Sequence, residues 1–163
     1  MILGTLDFNG ETWALIDLKP HVSMRFKGMF KGIPEGQVPP FYLKDRLDRP
    51  AALDWFLQRY PLTRTDGAAD RLAKGIDEYN RQRQALETLK RPDYQPILQP
   101  GFRDGEKPFQ YQLRAAEMAR AGRGLLLLDD VGLGKTVSAL ATVSDGWGLP
   151  AAVVVQPHLQ RQW

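Results

Sequence analysis

The chain has 163 residues, 43% of them apolar and 25% charged, and carries a formal net charge of +3. That apolar fraction suffices for a packed core and excludes wholesale disorder, while the absence of cysteine excludes disulfides and thiolate metal sites. Two histidines, His21 and His158, are too few to build a zinc site from histidine alone, and the mild positive charge is compatible with a polyanionic partner without demanding one.

Residues 2–18 read as a β-hairpin. Asn9-Gly10 is the favoured dipeptide for a two-residue type I′ turn, because both positions need a positive φ. That turn pairs Leu6 with Trp13 and Phe8 with Glu11, and puts Ile2, Leu6, Phe8, Trp13 and Leu15 on one face. A second short strand is expected near 40-PFYLK-44. Behind Pro50, the spacing of Leu53, Phe56, Leu57 and Tyr60 predicts a helix that Pro61 ends. Residues 1–62 are therefore expected to form a small α+β module.

From Asp66 to Lys90 a long helix is expected, with Leu72, Ile76, Tyr79, Leu86 and Leu89 in a partial stripe. Asp70/Lys74 and Asp77/Arg81 are supportive pairs one turn apart, whereas Arg83 interrupts the stripe and Gly75 weakens the helix. The run 91-RPDYQPILQPGFRDGEKP-108 is dense in proline and glycine and marks a linker, so residues 63–107 read as helix plus linker.

The remainder, 108–163, alternates: helix 108–121, strand 124–129, helix 134–145, strand 151–156. Continuous apolar strands between helices predict a parallel α/β sheet. In 125-LLLLDDVGLGKTVSAL-140 a strand passes through a glycine turn into a helix. Such a turn gathers unpaired N–H groups where the helix dipole is positive, and Gly132 and Gly134 allow backbone shapes a Cβ would block. Gly132, Leu133, Gly134, Lys135 and Thr136 are thus candidate phosphate contacts. Lys135 would reach the outer phosphates, and the Thr136 hydroxyl would ligate Mg²⁺. The template G-x-x-x-x-G-K-[ST] is met except at its first glycine, where Asp129 stands. A dinucleotide fold fits less well, because Val137 occupies the third glycine position and Gln156 the place of the acidic residue.

The run 127-LLDDVGLGKT-136 resembles the nucleotide-binding motif of Swi/Snf-related superfamily 2 helicases and translocases, with Asp-Asp where that family carries Asp-Glu. Upstream, 108-PFQYQLRAAEMA-119 is similar to the family's adenine-side motif, and 151-AAVVVQPHLQRQW-163 to its next motif. The resemblance covers roughly residues 105–163, and implies that 108–163 begins a RecA-like ATPase lobe using ATP and Mg²⁺. It implies that Gln112 reads adenine, through an amide that both donates and accepts. Phe109 and Tyr111 either stack on the base or pack inward. Asp129 and Asp130 lie beside the loop or cap the following helix. His158 and Arg161 stand where the family touches nucleic-acid phosphates, although His158 reads equally as a solvated loop residue.

An ATPase of this class also needs an acidic pair and transition-state arginines. No DE-x-H follows residue 136, so the chain is expected to be the N-terminal portion of a longer helicase or a shortened relative, inactive alone. Residues 18–33 hold Lys19, Arg25, Lys27 and Lys31 without an acid, interleaved with Phe26 and Phe30. Such a segment either binds nucleic acid, Arg25, Lys27 and Lys31 being the candidates, or is amphipathic with Met24, Phe26 and Phe30 packed inward. DNA is the favoured partner, and the front module is a candidate protein-docking element. Neither a secretory signal nor a membrane span is apparent, so an intracellular location, cytoplasmic or nucleoid-associated, is expected. The alternative function is a non-catalytic nucleic-acid- or protein-binding module carrying a truncated nucleotide fold.

Overall fold

The computed structural model describes residues 2–102 and 107–158. The fold is α/β: a mixed four-stranded sheet and five helices among the described residues. The chain divides into two compact units, Met1–Arg83 and Gln84–Trp163.

In the first unit, β1 (Thr5–Phe8), β2 (Thr12–Ile16), β3 (Phe41–Lys44) and β4 (Thr63–Arg64) lie in the order β3-β2-β1-β4. β1 pairs antiparallel with β2 and parallel with β4, and β2 pairs antiparallel with β3. Alternation sends Leu6, Trp13, Leu15, Phe41 and Leu43 to one buried face. Against them pack Val22, Phe26 and Phe30 of the α1 region (Pro20–Met29 and its C-cap), and Leu53, Phe56 and Leu57 of α2 (Arg49–Arg59). Ala68 and Leu72, near the start of α3 (Asp66–Leu89), complete the cluster. Phe26 is its centre: it stacks on Phe41 at 5.6 Å and meets Phe56 edge-on at 5.2 Å.

The hairpin register differs from the expected one. Phe8 pairs with Trp13 and Leu6 with Leu15. Asn9 does not take a positive φ; only Gly10 does, at +99°. Instead the Asn9 side-chain oxygen accepts from the N–H groups of Glu11 (3.2 Å) and Thr12 (2.9 Å), and the Asn9 N–H donates to the Thr12 carbonyl. Asparagine here closes a longer turn with its side chain, which competes with the I′ geometry. The slip is by an even number of residues, so Leu6, Trp13 and Leu15 keep the core face. Ile2, assigned to that face by pattern, precedes the strand and is 66% exposed.

Charged groups tie the sheet to α3. Trp13, fully buried, donates its indole N–H to Asp45 at 2.7 Å, and the other Asp45 oxygen accepts from Arg71 at 2.8 Å. Gly75 sits where an added Cβ would collide with the Pro50 ring, so glycine in this helix is a packing requirement rather than only a weakness.

The second unit holds α4 (Gln110–Gly122) and α5 (Lys135–Val143). The expected strands 124–129 and 151–156 are not formed, and no strand of a parallel sheet exists here among the described residues. Leu126, Leu128, Val131 and Val154 are exposed, Val131 completely. A continuous apolar strand needs strand neighbours and cover on both faces, and a lone pair of strands is marginal. Residues 125 and 127 do line a cavity of about 220 Å³ with Ala119, Ala139 and Val143. Arg120 joins the two helices: it donates to the carbonyls of Ala141 and Thr142 and forms a two-pronged pair with Asp145 at 2.6 and 2.8 Å. Those hydrogen bonds hold the Asp145 carboxyl below the usual carboxylate range.

Candidate functional site around residues 129–136

The loop between residues 129 and 136 enters α5 through Gly134, whose φ of +69° is left-handed, and Gly132 is also left-handed at +93°. Both glycines expected to give the turn its shape do so. Among the described residues the N–H groups of Val131, Gly132, Gly134, Lys135 and Thr136 donate to no protein acceptor. Lys135 and Thr136 open the helix, where such orphan donors coincide with the positive end of the dipole. The Lys135 ammonium donates to the carbonyls of Asp129 (2.8 Å) and Asp130 (2.9 Å), folding back over the loop. The side chains of Asp129 and Asp130 are exposed, and α5 starts without a side-chain cap, so the capping alternative for these acids is not observed. Thr136 is exposed with an uncommitted hydroxyl. No group of three or more His, Cys, Asp or Glu side chains placed to hold a metal ion occurs among the described residues.

Gln112 is brought to this loop, though not with a free amide. It is 4% exposed; its Oε1 accepts from the Phe109 N–H at 2.9 Å and its Nε2 donates to the Leu133 carbonyl at 3.2 Å. The Tyr111 hydroxyl donates to the same carbonyl at 3.0 Å. Phe109 and Tyr111 are both exposed and stack on each other, 5.8 Å between centroids, so neither joins the core. They line a cavity of about 500 Å³ with Tyr94, Pro96, Gln110 and Arg114.

The opposite wall of that cavity is the proline-rich stretch 91–98, fastened to α4 by side chains that sequence reasoning did not single out. Arg114 donates to the carbonyls of Arg91 (3.0 Å) and Tyr94 (2.8 Å). One turn on, Glu117 Oε1 accepts from the N–H groups of Ile97 (2.8 Å) and Leu98 (2.7 Å). The second Glu117 oxygen is buried without a partner among the described residues. Burial, and then the neighbouring carboxylate, raise the Tyr94 phenol above its ordinary range. The available signal was an acid and a base three apart on α4 beside a stretch with few backbone partners of its own.

The N-terminal candidates are distributed differently. Phe26 and Phe30 are 0% and 3% exposed, so the interleaved aromatics are core and offer no stacking surface. Met24, which the amphipathic alternative places inside with Phe26 and Phe30, faces solvent at 75% exposure, because Val22 and Ser23 take the inner positions of α1. Lys27 donates to the Glu35 carbonyl and lies over the Phe41 ring at 5.6 Å. Arg25 and Lys31 are exposed and unpaired among the described residues. His158 is exposed, and Arg161 lies outside the described residues. No helix among the described residues is long and apolar enough to cross a membrane. No protein family, curated protein or solved structure matches the chain.

Proposed function

We propose that this chain binds the polyphosphate of ATP, with Mg²⁺, through the 131–136 loop, as part of a superfamily 2 type helicase or translocase acting on nucleic acid, DNA in preference. The observation that carries the reading is the set of five uncommitted N–H groups running into the first turn of α5, with Lys135 folded over the same loop. Main-chain donors at a helix start suit an oxyanion because they need no desolvated counter-charge, and the dipole adds to them. Lys135 currently spends its charge on two neutral carbonyls, a weaker partner than a phosphate. Thr136 then offers its hydroxyl to Mg²⁺. The Phe109–Tyr111 cavity lies beside the loop, since Tyr111 contacts both, and its size suits the base and sugar. Arg25 and Lys31, with His158, are the candidate phosphate contacts on a nucleic-acid track; Lys27 is held by the protein.

A second reading is a non-catalytic nucleic-acid- or protein-binding module, favoured by the exposed apolar residues of 124–131 and 151–154. Thermal unfolding with saturating Mg-ATP separates the two. At a hundredfold excess over Kd a nucleotide adds about 2.7 kcal/mol to the native state. Wild type gains stability and Lys135→Ala gains far less; equal shifts, or none, overturn the nucleotide reading.

A further inference from the structure

Gln112 and Tyr111 form the joint between α4 and the glycine loop. Both ends of the Gln112 amide are committed, Oε1 to the Phe109 N–H and Nε2 to the Leu133 carbonyl. With the Tyr111 hydroxyl added, the Leu133 carbonyl accepts two hydrogen bonds, which fills its two lone pairs. A Cβ at Gly134 would overlap the Gln112 nitrogen, so the amide lies directly against the loop backbone.

The geometry points to Gln112 as a positioning residue for the phosphate loop, acting through Leu133, and not as a reader of the nucleotide base. The inference rests on the phosphate-binding reading above and says which group sets the loop's shape. In a trans peptide the carbonyl of one residue and the N–H of the next point in opposite directions. Holding the Leu133 carbonyl towards α4 therefore turns the Gly134 N–H away from α4. That N–H is one of the five uncommitted donors. A buried amide already satisfied at both ends presents no edge to a base, and releasing it would leave the Phe109 N–H and the Leu133 carbonyl without these partners. The ligand chemistry served by Gln112 is thus the polyphosphate, common to all nucleoside triphosphates.

The test compares magnesium tripolyphosphate with Mg-ATP by calorimetric titration of the full chain. Gln112→Glu keeps an oxygen for the Phe109 N–H but loses the donor to Leu133. Tyr111→Phe removes the other donor and leaves the helix start intact. Each substitution is expected to weaken both ligands by the same factor, roughly three- to tenfold. Loss of ATP affinity with tripolyphosphate unchanged would make Gln112 a base reader and overturn the inference. Binding that depends on Lys135 yet ignores both substitutions also overturns it, while leaving the loop reading intact. If wild type binds neither ligand, both readings fall together. Circular dichroism checks each fold; should Gln112→Glu unfold, the exposed Tyr111→Phe decides.

Discussion

Asp45→Ala tests the account of the sheet's anchoring to α3. Asp45 accepts from the indole of a fully buried Trp13 and from Arg71, whose side chain is 21% exposed. Removing the carboxylate leaves the indole N–H without its acceptor, which costs about 1–3 kcal/mol. Arg71 keeps Glu78 at 3.3 Å, so the lost ion pair, partly open to water, adds only about 1 kcal/mol. The total is about 2–4 kcal/mol, a large share of a domain's margin. Urea unfolding followed by tryptophan fluorescence measures it, and with a slope of about 2 kcal/mol per molar the midpoint moves by roughly 1–2 M. A cycle with Trp13→Phe should return a coupling of about 1–2 kcal/mol, since the indole bond is the shared element. A destabilisation below about 0.5 kcal/mol, or no coupling, would refute the reasoning, because an unpaired buried donor cannot be that cheap.

Further outcomes follow from the same contacts. Gly75→Ala should destabilise the first unit by about 1–3 kcal/mol in the same assay, because the collision with Pro50 outweighs the helix-propensity gain of about 1 kcal/mol; a stabilised variant would show that the ring gives way. The Asp145 carboxyl is held low by Arg120, so its contribution is present above the ordinary aspartate range and is lost as pH falls through the lowered value. Wild type should therefore lose stability relative to Asp145→Asn on acidification, and parallel acid profiles would count against the Arg120 tie.

Periodicity carried the parts of the fold where one face meets a core. The alternation of Leu6, Trp13 and Leu15 found the right face although the turn was misread, since a slip by two residues leaves parity unchanged. The helices of residues 50–60 and 66–90 were legible from spacing and from Pro50 and Pro61. β4 was not, because two residues carry no period and its pairing is made by backbone, from Thr63 to Gly4 and Thr65 to Leu6. The runs at 124–129 and 151–156 misled for the opposite reason: an apolar run reports a wish for burial and not the presence of a partner strand. The site followed the same division. Gly132, Gly134 and Lys135 could be placed from local rules. The commitment of the Gln112 amide to Leu133, twenty-one positions along the chain, is a long-range fact that no spacing announces.

The stretch 91–98 has a consequence for how this region can vary. Arg114 and Glu117 grip its main-chain oxygens and nitrogens, and the one side chain they also engage is Tyr94, whose ring lies 5.8 Å from the Arg114 guanidinium. Substitutions at Asp93 or Gln95 can therefore drift without loosening the cavity wall, and only proline at 97 or 98 would remove a gripped atom. Two positions on α4 act as custodians of a wall whose own letters are largely free to change.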